Sequence, residues 1–440
     1  MKGVTRTVTV VCVALSATRL EGQVANASTA ALGMGENYTA VARGYHAVAW
    51  NPAALGLSDN PEASGAMATF RGSSGLGPVG LRDLADHPDA RVPDAVKAEW
   101  LADITRAGGE DGVVGGDMTW GAVHRGRFAL HVSSSARALN EITPGVAELM
   151  LVGPLDENGN PKDLDVSGSA VDVNGYTSFA VSYGMPVLVR DGARLAVGIT
   201  AKHTIGHVLA VSERSTGVVT ADSIAFAFPI AYSPIVREGR SHQLKSGSGF
   251  GADLAIAYEA GRLSLAVVGQ NVVNSFAWNP DELLYRPAAM VFSESEGEAS
   301  FDPQPLAEAP AELRERVQAA QFNPSWTLGA MLRSTPRLTL AADARIGRTT
   351  GMSTRAPVHA GAGAEYRALR WLPLQLGAAY VRTSPERDGV QLTGGVGVQR
   401  GGFLFAVSGA RREIGHTAEN SLMVSLISHF FNPANFSGRH

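Results

Sequence analysis

Three short stretches carry residue types that could do chemistry. Gly75-Leu76-Gly77-Pro78-Val79-Gly80 has the spacing GxGxxG, which between a strand and a helix cradles a dinucleotide on backbone amides. Pro78 has no amide to offer, and the surroundings alternate like antiparallel strands, so a flexible loop is expected. Asp163-Leu164-Asp165-Val166-Ser167-Gly168 opens like a calcium loop, but its twelfth position is Asn174 where a bidentate Glu is needed. A solvated acidic loop is the plainer reading. His203 and His207 fall on one face of a candidate strand, about 13 Å apart at strand rise. That is too far to share a metal, and they read as lumen or rim histidines. No GxSxG, HExxH or CxxC follows the first two dozen residues, so no catalytic residue, metal site or cofactor is expected.

A dispersed set of charges says more. Lys202, Asp253, Glu259, Asp343, Arg345, Glu365 and Arg367 each sit among apolar neighbours at every second position. If the apolar face meets lipid, a Lys or Arg on that same face costs about 2–4 kcal/mol near the midplane. The charges are therefore expected to point into a lumen, to pair there or to line a solute path.

The elements that must position them are strands. Phe250, Leu254, Ile256 and Tyr258 alternate with Asp253, Ala255, Ala257 and Glu259, and Leu338 to Ile346 does the same around Asp343 and Arg345. Successive side chains of a strand face opposite ways. The spans read as strands are 63–71, 113–124, 126–137, 169–185, 193–210, 217–232, 249–260, 262–273, 324–334, 336–346, 357–367, 371–383, 389–400, 402–412 and 419–430. Many reach the 9–11 residues a tilted membrane strand needs, whereas soluble strands average about 5–6. Fifteen is odd, and single-chain outer-membrane barrels normally have an even number, so one span is misassigned or one is missing; Met290 to Ser293 is a candidate. Tight turns such as Glu259-Ala260-Gly261-Arg262 alternate with long connections such as 274–323, the habit of an up-and-down barrel. Helical spacing recurs near 79–108, interrupted by Pro88 and Pro93, and near 305–321. The first of these insertions is expected to be either an external cap or a plug.

The bulk numbers agree. Charged residues are 18 % of the chain and Gly numbers 50, low charge and high Gly for a soluble enzyme of this size. A net charge of −4 leaves no nucleic-acid footprint. Lys2 and Arg6 precede the apolar run Val8 to Ala17, the form of a signal peptide. Residues 1–22 are expected to be removed, with cleavage as late as 27. Cys12, the single cysteine, would leave with them.

The stretch ALGMGENYTAVARGYHAVAWNPAALG (31–56) resembles the start of the FadL-like outer-membrane barrels and of their PorV-like and TraF-like branch. The segments at 247–274 and 359–383 extend the resemblance. It implies an all-β, transmembrane, antiparallel up-and-down barrel of about fourteen strands. Residues 23–61 would be a hatch in the lumen, and 62–440 the barrel with its helical insertions. Gly33, Gly35, Trp50, Asn51, Pro52 and Ala53 would form the hatch motif, with Asn51, Pro52 and Ala53 as its turn. It further implies residence in the outer membrane among its lipid, and passive uptake of small hydrophobic molecules. The PorV-like branch implies instead a barrel that anchors or helps secrete a protein partner.

Overall fold

The computed structural model describes residues 24–25, 28–87, 92–156, 158–160, 162–234, 245–293, 297–349, 351–353, 355–384, 387–414 and 417–431. The expected signal peptide and the tail after Phe431 lie outside them.

Fourteen antiparallel strands close into a barrel. They are β1 Ala63–Gly77, β2 Glu110–Arg125, β3 Phe128–Ile142, β4 Ala170–Arg190, β5 Ala193–Ser212, β6 Gly247–Ala260, β7 Leu263–Asn274, β8 Ser325–Thr335, β9 Leu338–Gly347, β10 Val358–Leu369, β11 Leu372–Ser384, β12 Arg387–Arg400, β13 Phe403–Ile414 and β14 Thr417–Phe431. Each pairs with its sequence neighbour among these. β14 returns to β1 with Phe431 opposite Ala63, so neither strand is left as an edge. Closure satisfies every ladder within the sheet, the condition for a sheet to sit in lipid.

The period-2 pattern carries through. In β6, Phe250, Leu254 and Ile256 are 56 %, 49 % and 53 % exposed on the outside, while Asp253, Ala255, Ala257 and Glu259 between them are buried. The outer face is apolar because hydrocarbon surrounds it; the inner residues are small because another layer of chain packs on them. Among the described residues no helix is long and apolar enough to cross a membrane.

Residues 217–232 are not a barrel strand. β5 and β6 pair directly, with Gly206 opposite Gly247, leaving no place between them. The stretch breaks into Thr216–Val219, Ser223–Ala227 and Ile230–Tyr232. The first two join Leu164–Asp165, Ala289–Ser293 and Gly297–Ser300 in a separate five-stranded sheet, so 290–293 is not a missing barrel strand either. Gly75 and Gly77 belong to the end of β1 rather than to a loop. A Cβ at Gly75 would fall 2.8 Å from the Glu419 Cα on β14. Here glycine serves close strand approach, not phosphate.

The two-residue turns after β2, β4, β6, β8, β10 and β12 lie at one end, and every long connection lies at the other. The described residues of the 79–108 insertion follow β1 at the long-loop end. Its helices α3 (Leu81–Ala85) and α4 (Asp94–Ala107) follow β1, and α4 packs Trp100 and Ile104 with Ala147 of α5 (Pro144–Leu151). α6 (Ala311–Ala319) buries Leu313 and Val317 against Phe276, Trp278 and Phe322, and the Trp278 indole donates to the Ala320 carbonyl at 2.8 Å.

Candidate functional site: the hatch and the vestibule above it

Residues 28–57 lie inside the barrel, nearly all buried. They form neither strand nor long helix. Ser28 caps α1 (Thr29–Gly33) by accepting from the Ala31 amide at 3.1 Å. Gly35 and Glu36 both take positive φ, which turns the chain sharply. α2 (Ala47–Trp50) ends at Asn51, whose side chain accepts from the Ala53 amide and donates to the Thr39 carbonyl, both at 3.1 Å. Pro52 opens the next turn, where no amide is required of it. Small residues are needed because the backbone itself packs against the wall.

Wall glycines make that approach possible. A Cβ at Gly198 would fall 2.2 Å from Pro52 C, and one at Gly184 2.3 Å from Pro52 O. Gly363 and Gly377 meet Met34 and Gly35 in the same way, at 2.2 and 2.3 Å. Glycine inside a strand marks such close contacts, and that was the available sequence signal for these four positions.

Polar locks add direction. Asp343 Oδ2 accepts from the Tyr38 and Thr39 amides at 3.0 Å each and from Thr39 Oγ1 at 2.6 Å. Glu259 Oε2 accepts from Ser58, both amide and hydroxyl. The Gly33 carbonyl accepts from Thr393, and the Ala49 carbonyl from Gln270 and Arg355. Glu36 pairs with Arg71 at 2.8 Å, both side chains buried. Burial opposes ionisation of Glu36, but Arg71, then Arg345 and Arg412, outweigh it and hold the carboxyl at about 2.

The other expected lumen charges distribute as follows. Lys202 and Asp253 form a buried pair at 2.6 Å. Asn271, at a bulge of β7 with φ of 53°, donates its amide to Asp253 and accepts from Lys202. Arg345 donates to Thr327 and to the Ala356 carbonyl. Glu365 accepts from Gln375 and Arg367, and Arg367 is half exposed at the short-turn end of β10. His203 leaves the expected pattern. Lys202 and Thr204 beside it are buried in the lumen, so His203 points outward, its ring tilted against Phe250 at 4.4 Å.

At the long-loop end, above the hatch, lies a cavity of about 370 Å³. Its wall is charged. Asp111, Glu141 and Glu419 line it together with Arg137, Arg387 and Arg355, and Val113, Leu139, Val211 and Met352 add apolar surface. Arg387 pairs with Glu141 at 3.0 Å, and Arg412 with Glu419 at 3.3 Å. Arg355 belongs to both compartments. It lines the cavity, its guanidinium lies 4.3 Å over the Trp50 ring, and it donates to the Ala49 carbonyl at 2.9 Å. Burial, then the Arg345 cation, push it down to about 9. Sequence reading missed Glu36, Arg71 and Arg355, because no local pattern reports that a distant loop and a lumenal segment meet.

A closed barrel with an apolar outside, a charged inside and a folded-in N-terminal segment defines a plugged membrane-type β-barrel. The family model described as "F plasmid transfer operon, TraF, protein" matches residues 48–344, and the chain belongs to that family. Solved structures share the fold at low identity. A Pseudomonas aeruginosa FadL homologue superposes with TM-score 0.50 at 11 % identity, covering 94 % of this chain and 100 % of that one. The P. putida toluene transporter TodX gives 0.52 at 13 %, covering 94 % and 99 %. A TodX variant described as a monoaromatic hydrocarbon channel gives 0.53 at 11 %, covering 92 % and 98 %. No curated protein matches the sequence.

Proposed function

We propose that this protein is an outer-membrane barrel for passive uptake of small hydrophobic molecules, gated by the hatch. One observation carries the reading: Arg355 lines the 370 Å³ vestibule and also clamps the hatch at Ala49 and Trp50. A solute entering from the long-loop end therefore meets the residue that holds the gate. The mixed lining favours molecules with an apolar body and one polar end over bare hydrocarbons, because charged walls bind apolar surface poorly. The fold shared with a toluene transporter supports uptake of small apolar solutes in general, not the preference for a polar end. The test is uptake of labelled fatty acid and labelled alkane into liposomes holding the purified protein, with and without residues 28–57. Faster entry of the fatty acid than in empty liposomes supports the reading; no entry of either solute with either form removes it.

A second reading, a barrel that anchors or helps secrete a protein partner, draws on the exposed apolar side chains Leu81, Leu84, Met150, Val152 and Leu155 on the long-loop side. Apolar clusters on loops mark docking faces. Crosslinking at Met150 in intact cells separates the readings, since uptake requires no protein adduct there.

A further inference from the structure

Most charges in the lumen have an opposite partner in contact: Glu36 with Arg71, Lys202 with Asp253, Arg412 with Glu419. Arg345 and Arg355 do not. Arg345 is 4 % exposed and Arg355 5 %. Their printed partners are neutral: Thr327 and the Ala356 carbonyl for Arg345, the Ala49 carbonyl and the Trp50 ring for Arg355. Arg345 Nη2 and Arg355 Nε are buried with no hydrogen-bond partner among the described residues. Glu36, Asp253 and Asp343 act on Arg355 only at longer range.

Both arginines line one recess, together with Arg348, Ser325 and Ser353. Its volume is about 20 Å³, room for one water-sized occupant. Arg348, Met352, Ser353 and Arg355 line the vestibule as well, so the recess opens toward the long-loop end. Buried cations with unused N–H groups are unfavourable unless an anion completes them. Guanidinium forks suit chloride and the oxygens of carboxylate or phosphate.

We propose that this recess binds a small anion between Arg345 and Arg355, and that occupancy tightens the grip of Arg355 on the hatch. The anion completes the donor set of Arg355 and neutralises its repulsion from Arg345, which leaves the side chain fixed over Trp50. The inference stands whether or not the barrel transports anything, since it rests on the donors and the recess alone.

Bromide is the first probe. Crystals of the full-length protein grown in bromide are expected to show an anomalous peak between Arg345 and Arg355; no peak there overturns the proposal. In detergent, chloride and bromide are then titrated in turn against isethionate, which is too large for the recess, at constant ionic strength. A saturable rise in Tm is expected for at least one of them. Arg345→Gln and Arg355→Gln are expected to weaken the apparent affinity by about tenfold or more, the loss of a charge-assisted hydrogen bond. Arg355→Lys keeps the cation without the fork and is expected to fall between. Equal Tm responses in wild type and in variants that still migrate as folded barrels would mean a general salt effect and overturn the proposal.

Discussion

The Glu36 carboxylate of the hatch and the Arg71 guanidinium of β1 meet at 2.8 Å, both buried. The carboxylate belongs to the plug and the cation to the wall, so this pair is a latch between the two. Removing one member of a buried pair leaves a lone charge, at a cost of about 3–5 kcal/mol. Glu36→Gln is expected to lower the midpoint of hatch release well before the barrel itself unfolds. In planar bilayers the variant should show frequent conducting events where wild type is quiet. Equal conductance would show that the latch is not what keeps the hatch in place.

Acid should imitate that variant. The ordinary value of a Glu carboxyl is 4.5, and in the hatch Glu36 is held at about 2. A group depressed on folding contributes stability above its ordinary value and loses it as pH falls toward the depressed one. Hatch closure is therefore expected to be independent of pH above about 5 on this account, and to weaken progressively between 4.5 and 2. Conductance recorded across that window should rise in wild type. It should rise less in Glu36→Gln, which has already lost the titrating group.

The glycine contacts predict a steric effect of the opposite origin. Gly198→Val and Gly377→Val would each drive a side chain into hatch backbone, at 2.2 and 2.3 Å for the first atom alone. Both are expected to expel the hatch while leaving strand pairing intact, seen as new protease cleavage within residues 28–57 of the folded barrel. Gly121→Ala is the control, since a Cβ there meets nothing within 4 Å. It should leave the cleavage pattern unchanged.

Asn51 supplies the hatch turn with one accepted and one donated hydrogen bond. Asn51→Ala loses the cap, worth about 1 kcal/mol, and leaves the buried Thr39 carbonyl without that donor, about 1–3 kcal/mol more. Asn51→Asp keeps the accepting oxygen and should recover the cap alone. Thermal melts of the three proteins in one detergent should rank wild type above Asp and Asp above Ala. Asp falling below Ala would mean that the buried charge outweighs the cap.

Much of the fold was written in local pattern. Alternation is a property of each strand by itself, so β6 and β9 could be read residue by residue, and Asp253, Asp343 and Arg345 are buried in them. Pro52 and Asn51 likewise announced a turn from their own chemistry. The stretch 217–232 alternates as well, yet it adds no strand to the barrel ring, because membership depends on which ladder is still unpaired, and β5 with β6 had already closed that one. Outward His203 follows from register with Lys202, a relation that His203 and His207 alone do not contain.

The sequence by itself determined that this chain forms long amphipathic strands and an irregular, small-residue N-terminal segment, because backbone period and turn chemistry are local. Only the tertiary structure decided that Glu36 would find Arg71, that Gly198 would admit Pro52, and that Arg355 would reach from an outer loop to Trp50. Those contacts join residues far apart in the chain, and their energies exist only once the barrel has closed around the hatch.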